Sequence, residues 1–115
     1  MTSDNACALD GKKCVPCEGG VSALPAQEIE HLLSHVPGWS LTSDGKAIHR
    51  RFAFKNFRQA LAFVNRIGEI AESEGHHPDV LFGWGYAEVI LTTHAIDNLH
   101  QNDFIVASKI NGLDI

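Results

Sequence analysis

The 115-residue chain predicts an α+β domain, a four-stranded antiparallel sheet with three helices packed on one face, in the order α-β-β-α-β-β-α. Three observations predict it. Apolar residues recur at helical spacing in three segments. Two stretches between those segments show the period-two alternation of strands, and each is broken near its middle by a turn containing glycine. Short hairpins separated by helices close into an antiparallel sheet covered on one side.

Residues 1–21 show no periodicity, are rich in glycine, lysine, cysteine and small polar residues, and end in Glu18-Gly19-Gly20. They are expected to form a flexible arm ahead of a single domain over residues 22–115. The first helix is expected from about Pro25 to Val36, with Ile29, Leu32, Leu33 and Val36 on one stripe. Pro25 suits its first turn, and Pro37-Gly38 ends it. A hairpin follows: Trp39 to Thr42, the turn Ser43-Asp44-Gly45, then Ala47 to Phe54, where Ile48, Arg50, Phe52 and Phe54 alternate. Asn56 is placed to cap a second helix running to about Glu74, with the stripe Phe57, Ala60, Leu61, Val64, Ile67 and Ala71 and with Gly75 as its stop. The second hairpin runs from Asp79 to Trp84, turns at Gly85, and returns from Tyr86 to Thr93. Val89, Leu91 and Thr93 would share one face, Ile90 and Thr92 the other. A last helix from about Gln101 to Asn111 buries Phe104, Ala107 and Ile110 or Val106, with Gly112 after it.

Composition narrows the function classes. A formal charge of −5 with neutral histidines gives no basic field for direct nucleic-acid or acidic-membrane binding. No apolar run suggests a signal core or a membrane span. The cysteines Cys7, Cys14 and Cys17 are odd in number and crowded near the start, which is no disulfide framework and points to a reducing cytoplasm. Cys14-x-x-Cys17 has the spacing of half a zinc or redox site, but the partner pair is missing, so a dispensable tail is expected.

Seven histidines are many for this length and suggest proton chemistry near neutral pH. His31, His35, His49 and His100 are scattered over helix and strand faces without evident partners and read as surface or satisfied polar residues. His76, His77 and His94 differ. A hairpin folded about Gly85 sets His76 opposite His94 to within a residue or so of register. His77 stands beside them, and Glu72 lies one helical turn before His76. No metal is expected there, because neighbours in extended chain point to opposite sides and no helical His-Glu-x-x-His is present. Phosphate loops, dinucleotide fingerprints and nucleophile elbows are absent as well. Acid–base work by histidine remains, since its unperturbed pKa of about 6.5 lets it give or take a proton at neutral pH.

The pattern Glu72-x-x-x-His76-His77-Pro78, an aromatic at Trp84, Thr92-Thr93-His94 and Asp103 resembles the signature of the pterin-4a-carbinolamine dehydratases. Pro37-Gly38-Trp39 and Phe52-Ala53-Phe54-Lys55-Asn56-Phe57 are similar to that family too, and the resemblance covers roughly residues 24–113. It implies the same one-face α+β fold and dehydration of 4a-hydroxytetrahydropterin to quinonoid dihydropterin, in tetrahydrobiopterin recycling beside aromatic amino-acid hydroxylases. By this resemblance His76, His77 and His94 are the catalytic set. His76 and His94 would exchange the protons, while His77 would help hold and orient the ring. Gly75, Thr92, Thr93 and Ala95 join those histidines as substrate-binding positions, with Glu72 and Asp103 in support. Relatives often carry Asp where this chain has Gly75, which offers no side chain for a polar contact. Trp39 reads as core or pocket wall. No cofactor is implied, and a homodimer or homotetramer is expected. Two alternatives belong to other classes: an oligomeric binding module or transcriptional dimerisation cofactor with a vestigial pocket, and an enzyme of molybdopterin-related metabolism.

Overall fold

In the computed structural model, Cys14 and residues 23–114 are described. The elements are α1 (Ala26–Leu33), β1 (Ser40–Leu41), β2 (Ile48–Ala53), α2 (Phe57–Glu74), β3 (Asp79–Gly83), β4 (Tyr86–Leu91), a 3₁₀ turn at His94–Ile96, and α3 (Gln101–Asn111). This is the predicted order. The strands form one antiparallel sheet ordered β1-β2-β4-β3.

Alternation along β2 and β4 turns Ile48, Phe52, Ala87, Val89 and Leu91 onto one face, where all are buried. Against it pack Ile29 and Leu32 of α1, Phe63 and Ile67 of α2, and Phe104, Val106 and Ile110 of α3. α3 contacts both other helices, and burial runs unbroken from Asn102 to Ser108. A helix closed in on nearly every side must satisfy its polar groups internally. That requirement bears on Asn102 and Asp103 below.

The boundaries of α2 and α3 follow from their caps. Asn56 Oδ1 accepts the Gln59 N–H at 2.9 Å, and Gly75 ends α2 in the left-handed region at φ 67°. α1 is a turn shorter than expected. Pro25 sits at its N-cap rather than inside the first turn, and the chain from Ser34 to Val36 continues as tight turns closing on Leu32 and Leu33 carbonyls. The predicted stripe of α2 was also rotated. Phe57 and Leu61 are exposed, whereas Phe63 is buried. Phe63 packs at a tilt against Phe52 and Phe54 of the first hairpin, with ring centroids 4.6 and 5.1 Å away. Aromatic contact with β2, invisible to periodicity, decides which face turns inward.

Asp44 builds the first hairpin's turn. Its Oδ1 accepts the Lys46 N–H at 3.0 Å and the Thr42 hydroxyl at 2.8 Å. The backbone bond from Lys46 and then the Thr42 hydroxyl hold its carboxyl below the ordinary value. Arg50, on the inner face of β2, lays its guanidinium over Phe52 and donates to Asn111 Oδ1 at 2.6 Å; Trp39 Nε1 donates to the same oxygen at 2.9 Å. Trp39 is therefore core.

Candidate active site

The site lies where α2 ends, β4 ends and α3 begins. The backbone N–H groups of Gly75 and His76 both close on Ala71 O, so the chain leaves α2 abruptly and carries His76 and His77 toward β3. On the other side β4 runs on to Thr93, whose backbone is bridged in both directions to Asn98. That bridge encloses the 3₁₀ turn, with His94 at its start and Asp97 in the left-handed region at φ 49°. The chain then reaches His100, which caps α3 by accepting the Asn102 N–H on Nδ1 at 3.1 Å.

The register of the second hairpin decides which residues meet. Its turn is the pair Trp84-Gly85, flanked by Gly83↔Tyr86, and pairing proceeds to Asp79↔Ile90. Extended past the strand ends, this register sets Thr93 opposite His76 with His94 next along, a one-residue offset inside the expected tolerance of a residue or so. A turn of two residues, not a fold about Gly85 alone, makes the difference.

Asp103 joins the three segments. It is fully buried, with its Oδ1 2.6 Å from His76 Nε2, while Oδ2 accepts the Thr93 hydroxyl at 2.8 Å and the His100 N–H at 3.0 Å. A carboxyl group at this depth is tolerable only when its oxygens are occupied. Because a carboxylate only accepts, His76 carries its proton on Nε2, leaving Nδ1 as the ring's acceptor. His77 Nε2 meets Glu72 Oε2 at 2.5 Å, but both side chains are more than half exposed. Such a surface pair orients a ring and adds at most about 1 kcal/mol.

A cavity of about 480 Å³ opens here. It is lined by Gly75, His76, His77, Thr92, Thr93, His94 and Ala95, together with Cys14, Glu74 and Asn102. Asp103 stands behind His76, and Glu72 stands outside against His77. Trp84 is 73% exposed at the hairpin tip, away from the cavity. Thr92 ties the rim to the first hairpin through its hydroxyl, which donates to Lys46 O at 2.6 Å.

Sequence reading missed three lining residues. Glu74 and Asn102 adjoin singled-out positions, and the neighbourhood itself was the available signal. Cys14 had none. Its backbone N–H donates to Glu74 Oε1 at 2.8 Å, and its Sγ lies 3.7 Å from Asn102 O. Burial first, and then the Glu74 charge, push its thiol up to about 12. The expected arm, Cys7 and Cys17 included, lies outside the described residues apart from Cys14.

The remaining histidines are not without partners. His31 and His35 meet edge to face at 4.8 Å, His49 Nδ1 lies 3.3 Å from Glu88 Oε2, and His100 caps α3. Each is partnered locally, and none lines the cavity. Among the described residues no group of three or more His, Cys, Asp or Glu is placed to hold a metal ion, and no helix is long and apolar enough to cross a membrane.

Three imidazoles, those of His76, His77 and His94, line one cavity on an α+β scaffold, and the first of them is hydrogen-bonded to a buried acid. Comparison with known proteins gives the family. The sequence profile described as "Pterin 4 alpha carbinolamine dehydratase" matches residues 22–113, and the chain belongs to that family of hydro-lyases. It is 55% identical to a protein of Halorhodospira halophila over 92% of this chain and 97% of that one, and 50% identical to one of Methylococcus capsulatus over 95% and 96%. Both relatives carry the provisional name pterin-4-alpha-carbinolamine dehydratase. Among solved structures it resembles a transcriptional coactivator/pterin dehydratase from Brucella melitensis, at TM-score 0.74 and 30% identity over 78% of this chain and 96% of that one.

Proposed function

We propose that the chain dehydrates 4a-hydroxytetrahydropterin to quinonoid dihydropterin and water, in tetrahydrobiopterin recycling downstream of aromatic amino-acid hydroxylation. The observation that carries this reading is the shared cavity of His76 and His94, with His76 Nε2 engaged by Asp103 at 2.6 Å. The reaction breaks the C4a–O bond and removes the N5 proton as the C4a=N5 bond forms. It needs one proton donor for the leaving hydroxyl and one acceptor for N5. His76, whose Nδ1 is the ring's free acceptor, takes the N5 proton. His94, on the exposed 3₁₀ turn, protonates the hydroxyl, and the two exchange protons to reset. His77, steadied by Glu72, holds and orients the ring, and Gly75 and Thr92 to Ala95 border it.

The hydro-lyase family, the near-complete coverage of relatives and a cavity of drug-sized-ligand volume support a small pterin as substrate. We also infer a homodimer or homotetramer. β3 is an edge strand paired with β4 alone, and Leu81 on it is 59% exposed, a combination that invites further pairing. The three cysteines without a disulfide pattern support a reducing, cytoplasmic setting. The deciding assay follows quinonoid dihydropterin formation from synthetic 4a-hydroxytetrahydropterin. Acceleration over the spontaneous rate is expected, and a rate equal to it would overturn the reading.

A further inference from the structure

Cys14 reaches the cavity from outside the helix–sheet scaffold and is held there twice. Its N–H donates to Glu74 Oε1, and its thiol faces Asn102 O, at 2.8 and 3.7 Å. Both anchors line the cavity beside His76 and His94, and so does Cys14 itself. The anchoring is costly. Glu74 stands in the last turn of α2, where the helix dipole disfavours an acid, and its side chain is only 3% exposed. Lys109 Nζ, 3.7 Å from Glu74 Oε2, and the Cys14 amide offset that cost. A thiol pushed up to about 12 stays protonated at neutral pH, so it is no nucleophile there. What it offers is a small, polarisable, weakly polar surface suited to the edge or face of a flat heteroaromatic ring.

We propose that Cys14, moored by Glu74, forms a wall of the pterin cavity: Cys14 is the group that touches the bound ring, and Glu74 is the positioning residue that keeps it there. The inference rests on the pterin reading above and adds a contact for that substrate from the segment preceding α1. A contact made equally to substrate and transition state appears in KM rather than kcat.

The test uses the full chain with Cys7→Ser and Cys17→Ser, in which Cys14 is the single thiol. Alkylation by excess iodoacetamide is timed at about pH 9, where the small thiolate fraction of Cys14 can react, with and without unreactive 7,8-dihydropterin, whose binding is followed separately by fluorescence. At ten times its dissociation constant, free protein is about one part in eleven, so alkylation should slow roughly tenfold. Half-protection should coincide with the dissociation constant. Glu74→Ala should speed alkylation of the pterin-free protein and raise KM with kcat retained, and Glu74→Gln, which keeps an acceptor for the Cys14 amide, should restore most of both. Dihydropterin that binds without protecting Cys14 overturns this inference and leaves the proposed function standing. Dihydropterin that does not bind, in a protein without dehydratase activity, overturns both.

Discussion

His76, His77 and His94 differ in what holds them, and their substitutions should separate accordingly. His76 is pinned by Asp103, and His94 is presented by a 3₁₀ turn that lines the same cavity. Replacing either with Ala should lower kcat by roughly 10²–10⁴-fold, measured above the spontaneous rate, with dihydropterin binding changed far less. His77→Ala should raise KM and leave kcat nearly intact. Retained full activity in His94→Ala would overturn its role. Asp103→Ala is a different kind of loss, since it strands the Thr93 hydroxyl, the His100 N–H and the His76 ring together. Urea denaturation should show a cost of about 3 kcal/mol. Cys14 makes a prediction in pH. Its thiol is held at about 12 against an ordinary 9.0, so above pH 9 the unfolded chain releases a proton that the native state keeps. The stability contributed by the neutral thiol is complete below pH 9 and lost as pH rises toward 12. Urea midpoints at pH 8 and 10.5 should therefore fall further in the wild type than in Cys14→Ser.

Among the elements, α2 bears most on the site, because its end sets the direction in which His76 and His77 depart. Asn56→Ala removes the acceptor for the Gln59 N–H and should cost about 1 kcal/mol. Gly75 occupies the left-handed region at φ 67°, yet a Cβ there would meet nothing within 4 Å. Gly75→Ala should then cost about 1 kcal/mol through backbone strain alone. Thermal denaturation checks both stabilities. A larger loss of kcat in Gly75→Ala than in Asn56→Ala is expected, since only Gly75 adjoins His76. α3 contributes through its N-terminus, where one capping box both starts the helix and delivers Asp103 to His76.

At the scale of the molecule, two properties can be measured on the intact protein. Dialysis against a chelator should leave dehydration unchanged, because His76 and His77 each already have an Nε2 partner in a carboxyl group; activity lost to the chelator and restored by zinc would contradict this. Sedimentation should give a mass of two or four chains. A monomer at micromolar concentration would leave the β3 edge and Leu81 uncovered in solution, against the inferred assembly.

The α+β class, the element order, the limits of α2 and α3, and the meeting of His76, His77 and His94 were legible along the chain. All of these rest on local signals: periodicity, capping residues and the turn that folds a hairpin back on itself. Proximity within a hairpin needs no knowledge of the rest of the chain, so the three histidines were legible as neighbours, whereas Gly75, Thr92, Thr93 and Ala95 were reached through the family resemblance. Packing between distant segments supplied the rest. The face of α2 that turns inward was set by Phe63 against Phe52 and Phe54. Asp103 was chosen as the acid for His76 by the burial of α3, which brings residues 27 positions apart to 2.6 Å. The placing of Cys14 beside Glu74, across 60 positions, left no local trace at all. Contacts of that kind come from packing and from the cost of leaving a buried carboxyl group without partners, and neither is written in the pattern of any one segment.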